Sequence, residues 1–535
     1  MFPGLIVLLL FSLIENRAEG PEPKPGGLSF HDNGGARLSF SSPVKAPPGS
    51  DGGNGATDET TEKKRPGRAV LEFFALMAYS QTKYWITYGD WIEDWHYRLT
   101  WEDQKKRLFG FEAWKFDSNN FNLNWSHALA GALYYEIART NNLDVLESFL
   151  FTTAGSMYWE YVVEWRNVVS INDNIFNAFG GIPLGEAWFQ LGRYFRDRTG
   201  TLNRILSFIN PLMKFNDWVN GRPPTRGAES ARGDFSFVAG GRNAPSTTGG
   251  RRRNQTCLDW RTRVDVFPEI GRPGEAFQIV DRVYRTDMSF NLSLGKRGLE
   301  EANLFARAVL LGGLKKRIDR RRRGYQVFLG LGTAFSYFRE RSVAFYDSGR
   351  VKVRRGYDLR LEEPRDFRDR LAIVHIAGPF FELRAFSKRI RFRLEMDAYL
   401  DFALVNAFAL NEYSRDNGLL GIKTPLLYYG YYHALGTSWL AAMTLEYRRI
   451  RFNGCFIHHR FNSVEGGDRF QDELTDDFDI RDFRTRYELS LFIPLGRSPL
   501  DIRIAHEGVD RWGRIKRVES RRLDSRYYLG MSVRF

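Results

Sequence analysis

Cysteine is nearly missing from this chain: 535 residues contain two, Cys257 and Cys455. That excludes a disulfide framework and a thiolate metal cluster, and leaves room for one bridge at most. Long apolar runs are missing too. The most apolar stretch, Leu5 to Phe11, is too short to cross a bilayer, and a mean hydropathy of −0.41 excludes a bundle of membrane-spanning helices. No Gly-x-Ser-x-Gly elbow, His-Glu-x-x-His zinc helix or phosphate-binding P-loop occurs. No metal site and no cofactor are therefore expected.

What the chain does have is basic charge and aromatic rings. The net charge is +14, but Arg and Lys are spread over loops rather than gathered beside base-stacking rings. This argues against nucleic acid and toward anionic outer-membrane lipid and lipopolysaccharide as partners. Met1 to Leu13 is placed like the apolar core of a signal peptide ending near residue 20. Residues 21–68 are Gly, Pro, Ser and charge, which cannot build a core and read as a disordered tether.

The remainder divides by periodicity. From 69 to 222 apolar residues recur at helical spacing, and from 223 to 535 they alternate. The last residues show this most cleanly: Tyr527, Leu529, Met531, Val533 and Phe535 share one face, Arg526, Tyr528, Gly530, Ser532 and Arg534 the other. This segment resembles the closing strand of a bacterial outer-membrane β-barrel, with Phe535 as the handle for the barrel-assembly machinery. About twelve strands are predicted, centred on Phe237, Val264, Phe290, Ala308, Phe328, Ile376, Leu394, Trp439, Phe456, Leu489, Ile504 and Leu529. Tight turns at Ser387-Lys388, Arg448-Arg449 and Gly496-Arg497-Ser498 alternate with long charged segments at 339–368, 411–425, 464–478 and 510–522. Short turns on one side and long loops on the other are what a barrel with both termini in the periplasm requires. The fold class is α+β: an N-terminal helical domain, then an antiparallel transmembrane barrel.

The unusual residues lie in the helical half. Val145 to Trp165 reads as one helix on which Thr153, Ser156, Glu160, Glu164 and Asn167 form a narrow polar seam along an apolar rod. Glu160 and Glu164, one turn apart, are placed to raise each other's pKa. With His127 they are candidates for general acid and base chemistry. The alternative is neutralisation by Arg139, Arg166 or Arg193. Asp173 and Asn177 follow in a segment opened by a capping box at Ser170, and for Asp173 that capping role suffices. Glu186 sits in a first helical turn, where the dipole favours it. Thr153, Ser156 and Glu186 are the candidate ligand-binding residues. Ala128, Gly131 and Ala132 permit close helix packing.

The spaced block His127, Trp159-Glu160, Glu164, Ser170-Ile171-Asn172-Asp173, Asn177, Gly180-Gly181 and Gly185-Glu186, with the barrel motif Tyr428 to Gly436, resembles a bacterial family of unknown function, number 3943. The resemblance spans most of residues 117–535 and implies an envelope location. A fainter similarity, through His127, Glu160 or Glu164 and the run Asp173 to Gly180, is to VanZ-like membrane proteins.

These readings place the helices at the periplasmic mouth of the barrel or partly inside it as a plug. The implied function is a gated conduit or binding protein for an envelope lipid or small solute. The alternatives are a lipid- or lipopolysaccharide-modifying enzyme using the His/Glu/Asn cluster, and a structural envelope protein.

Overall fold

The computed structural model describes residues 63–88, 97–110, 113–116, 125–219, 221, 231–245, 252–296, 298–341, 351–352, 358–359, 368–417, 430–464 and 479–534. The signal-peptide segment, most of the tether, Tyr428-Tyr429 and Phe535 lie outside them.

Alternation of charged and apolar residues sends twelve segments into strands: β1 Arg232–Pro245, β2 Arg252–Asp265, β3 Arg285–Gly295, β4 Gly298–Ile318, β5 Gly324–Arg341, β6 Arg368–Phe386, β7 Ile390–Asn406, β8 Tyr431–Tyr447, β9 Ile450–Ser463, β10 Ile480–Pro494, β11 Leu500–Ile515 and β12 Val518–Arg534. Each pairs antiparallel with the next. The ring closes where β12 meets β1, with Val533 opposite Phe237. A stretch at Gly274–Val280 extends the β3 edge along the lower part of β4. All twelve sequence centres fall in these strands. A closed antiparallel cylinder with apolar residues such as Leu329, Leu400, Trp439, Leu489 and Leu529 exposed on its outside is a bacterial outer-membrane barrel.

One turn differs from the sequence reading. Residues 510–522 are not a long loop: β11 and β12 continue through them to a two-residue turn at Lys516-Arg517, where Lys516 adopts a positive φ of 51°. The charges that look loop-like are cross-strand and lumenal partners. Arg521 donates to Asp510 at 2.7 Å, and Arg511 is buried between Asp369 and Asp482.

The interior is filled by charge. Arg285 on β3 reaches Glu395 on β7 at 2.8 Å, and Arg307 on β4 reaches Asp397 on β7 at 2.6 Å. Arg526 on β12 reaches Glu301 on β4 at 2.6 Å, and Arg503 on β11 reaches Asp259 on β2 at 2.9 Å. None of these strand pairs are neighbours in the sheet, so the bonds cross the lumen and identify the inward face of each strand that bears them. Toward the long-loop mouth the filling turns apolar. Ala407, Ala409, Leu410 and Tyr413 fold inward from the β7–β8 connection and pack on Phe338, Leu371, Ile373, Tyr432 and Phe461. The barrel's own side chains and this connection therefore make the stopper.

The helical half comprises α1 Pro66–Tyr88, α2 Trp101–Phe109, α3 Trp125–Thr140, α4 Val145–Tyr158, α5 Ile171–Ile175, α6 Gly181–Arg196, α7 Thr201–Leu206 and α8 Pro211–Val219. Helix α1 already begins at Pro66, so the end of the supposed tether is structured, and Lys64 is tied to Asp144 and Glu147. No described helix is long and apolar enough to cross a membrane alone.

The position of these helices corrects the expected plug. Phe402, Val374, Phe335, Ala306, Met288, Thr262 and Phe235 are successive register partners across seven strands. Each has the parity opposite to its strand's lumenal charges, Val374 to Asp369 and His375 because a bulge beyond His375 shifts the rest of β6, so all seven face outward. Phe335 and Ala306 are nonetheless completely buried, and Phe402 is 2% exposed. The cover is helical: Ala128, Ala132, Phe176 and Leu184 pack at the β4–β7 end of the row, and Leu191 and Phe195 pack on Phe235 and Val264 at the other. The helices thus lie as a layer on the outer wall, with α6 running along the hydrogen-bonded row. Against lipid, such docking gains from close packing rather than from escape from water, which explains the Ala and Gly residues at the contact.

Candidate functional site

The polar seam of α4 does not stay on one α-helix. The α-turns stop at Tyr158 and a π-turn spans Trp159–Val163. A second π-turn, Phe176–Gly180, follows α5. Such turns shift the register of side chains and recur where helices carry function. Here one carries Glu160 and the other Asn177. The helices close up because Gly131 has no side chain: a Cβ there would stand 1.9 Å from the carbonyl oxygen of Asn177.

This packing brings the predicted residues together. His127 Nε2 lies 3.4 Å from Asp173 Oδ1. Glu160 is fully buried and accepts from the Ser170 backbone N–H at 2.9 Å, while its Oε1 has no hydrogen-bond partner among the described residues. Glu164 accepts from Trp159 Nε1 at 3.0 Å and Asn167 Nδ2 at 3.2 Å. Burial, then the charges of Glu164 and Asp173, push the Glu160 carboxyl well above the usual range. Burial and Asp173 push Glu164 the same way. Asn177 donates to Ser156, which donates to Asn174. The capping role expected of Ser170 is present, with the Asp173 N–H donating to its Oγ at 3.2 Å.

The arginine whose charge acts on Glu160 and Glu164, Arg107, is not one of the three considered from sequence. Arg107, fully buried, donates to the backbone carbonyls of Glu160, Glu164 and Asn167 rather than to the carboxylates. Arg139 instead pairs with Glu186 at 2.8 Å, together with the Tyr135 hydroxyl and Gln190. Glu186 lies in the second turn of α6, not the first turn expected from sequence, and belongs to a separate buried cluster beside Glu136. Thr153 donates back to the Phe149 carbonyl of its own helix at 2.9 Å. Among the described residues no set of three His, Cys, Asp or Glu side chains is arranged to hold a metal ion.

Both thiols are free, and Cys257 contacts Ser293. His458 and His459 point to opposite faces, His458 to Thr485 and His459 to Ser438. Sequence reasoning missed one lumenal group. Ser336, His375 and Asp401 come from three strands and form a hydrogen-bonded line inside the barrel. No local motif joins residues so far apart in the chain; only the inward parity of each was readable.

Solved structures resembling the chain are barrels. The NanC porin shares 10% identity over 56% of this chain and 98% of its own, with a TM-score of 0.23. OmpT of Vibrio cholerae shares 6% over 58% and 99%, with a TM-score of 0.22. The translocator domain of the autotransporter NalP from Neisseria meningitidis shares 10% over 58% and 90%, with a TM-score of 0.19. At these scores the likeness adds nothing to what the strand pairing establishes. No curated protein matches the sequence. The VanZ-like similarity finds no support, and the resemblance to family 3943 narrows to the helical layer. Residues 113–212, which hold the His127 cluster, match the family described as Domain of unknown function (DUF3943).

Proposed function

We propose that this protein binds an envelope lipid from the side of its barrel, with the helical layer as the binding element. The observation that carries the reading is the buried outward row from Phe235 to Phe402: the helices occupy wall that would otherwise meet acyl chains. Their own outer residues, Leu71, Tyr79, Leu146, Leu150 and Trp218, are exposed. They extend the apolar surface of the barrel, as a lipid-facing layer requires.

The contact between His127 and Asp173, within a group of buried carboxyls, favours a second reading in which the same layer modifies the lipid. Asp173 would orient the imidazole, and Glu160, held protonated, would serve as the acid. Lipid profiles of cells expressing wild type or His127→Ala, read by mass spectrometry, test both. A co-purified lipid retained by both proteins supports binding, and a modified lipid absent from the variant supports chemistry. Neither a co-purified lipid nor a changed profile would leave the layer a structural support.

A further inference from the structure

Ser336 Oγ on β5 lies 2.8 Å from His375 Nε2 on β6, and His375 Nδ1 lies 2.7 Å from Asp401 Oδ1 on β7. The register produces this line. His375 stands directly across from Asp401, and Ser336 stands across from Ile373, two residues along the same face. A ring Nδ1–H donated to Asp401 leaves Nε2 to accept from the serine hydroxyl. Asp401 Oδ2 accepts in turn from Ser438, which also contacts His459 Nδ1 at 2.6 Å, so the carboxylate is fixed at both oxygens.

Ser336 and Arg484 line one lumenal cavity of about 290 Å³. Arg484 is 4% exposed, yet its Nε and Nη2 have no hydrogen-bond partner among the described residues. A buried guanidinium with two unmade donors is a group suited to a developing oxyanion. Arg393 and Arg451 line both this cavity and a larger one of about 590 Å³ at the short-turn mouth. Eleven of the twenty residues around the larger cavity are Arg or Lys against two acids, so it attracts anions.

We infer that the lumen holds a serine-hydrolase site for small anionic esters, a function separate from the lipid reading of the helical layer. Ser336 Oγ attacks the acyl carbon and its proton passes to His375 Nε2. Arg484 faces the oxyanion, and His375 returns the proton to the departing alcohol. Water then attacks the acyl-serine, giving its proton to His375. Collapse releases the carboxylic acid and restores the Ser336 hydroxyl. Asp401 acts as the positioning residue for the imidazole.

The test uses the full chain in detergent, with folding checked by heat-modifiable gel mobility. Diisopropyl fluorophosphate is expected to label the Ser336 peptide, with labelling abolished in Ser336→Ala and at least tenfold slower in His375→Gln. Hydrolysis of 4-acetoxybenzoate is expected to exceed that of neutral phenyl acetate in kcat/KM. Arg393→Gln with Arg451→Gln should remove that preference. Asp401→Asn should lower kcat and shift the pH profile, which loss of a structural bond alone would not do. Folded protein whose labelling is no greater than that of Ser336→Ala would overturn the site. Equal rates for the two esters in wild type would overturn its anion selectivity.

Discussion

Arg285 and Glu395 sit on strands that never touch in the sheet, yet their side chains meet at 2.8 Å in the middle of the lumen. Arg285 is fully buried and also bonds Asp265 and Glu382. Glu395 also pairs with Arg263 and Arg307. Removing one member strands several buried charges, which costs about 3–5 kcal/mol. Glu395→Gln is therefore expected to lower the urea midpoint of barrel unfolding strongly. Glu446→Gln, whose partner Arg391 stands 4.0 Å away and is largely exposed, should change the unfolding free energy by less than about 1 kcal/mol.

Gly131 governs how closely α3 meets the second π-turn. Because a Cβ would stand 1.9 Å from Asn177 O and Gly181 packs on Gly131 in turn, Gly131→Ala must push backbone apart. The expected loss is about 1–3 kcal/mol or more. Faster protease cleavage within 125–219, with strand signals unchanged in circular dichroism, is the expected readout.

Glu160 makes the stability of the helical layer depend on pH. Its folded pKa is raised by burial, Glu164 and Asp173, so the folded state holds a proton that the unfolded chain releases. Stability is fully present below the ordinary carboxyl pKa of about 4.3 and falls as pH climbs from there through the raised value. Glu136, also raised by burial, adds to the same trend. Glu160→Gln should remove its share, so the variant gains on wild type as pH climbs from about 4.3 through the raised value. A constant difference in melting temperature across that range would rule this out.

Phe335 and Leu329 lie on the same outward face of β5, but Phe335 is under the helices and Leu329 is 60% exposed. Phe335→Ala should leave a cavity costing about 3–5 kcal/mol and loosen the helical layer, seen as accelerated amide exchange in α6. Leu329→Ala should leave α6 exchange unchanged.

The barrel was legible in the sequence because a strand with one wet and one apolar face writes its period into every second residue, as β12 does from Arg526 to Arg534. The β11–β12 turn was not, since Asp510, Arg511, Arg521 and Arg522 look like loop charges until their partners are seen. The seam that joins Glu160 to Glu164 was readable from helical spacing, whereas the approach of His127 to Asp173 was not, because they come from different helices. The π-turns carrying Glu160 and Asn177 break that spacing. The site of docking was hidden for a simpler reason: Phe335 and Phe402 are the same outward apolar residues whether lipid or a helix covers them.

Oxidative cross-linking between α6 and the wall tests that docking most directly. In a Cys257→Ser, Cys455→Ser background, Leu184→Cys is paired either with the outward Ala306→Cys, in the same packed cluster, or with the inward Arg307→Cys. A crosslink with residue 306 and none with residue 307 is the predicted result. A crosslink with residue 307 alone would put the helix inside the barrel and contradict the account.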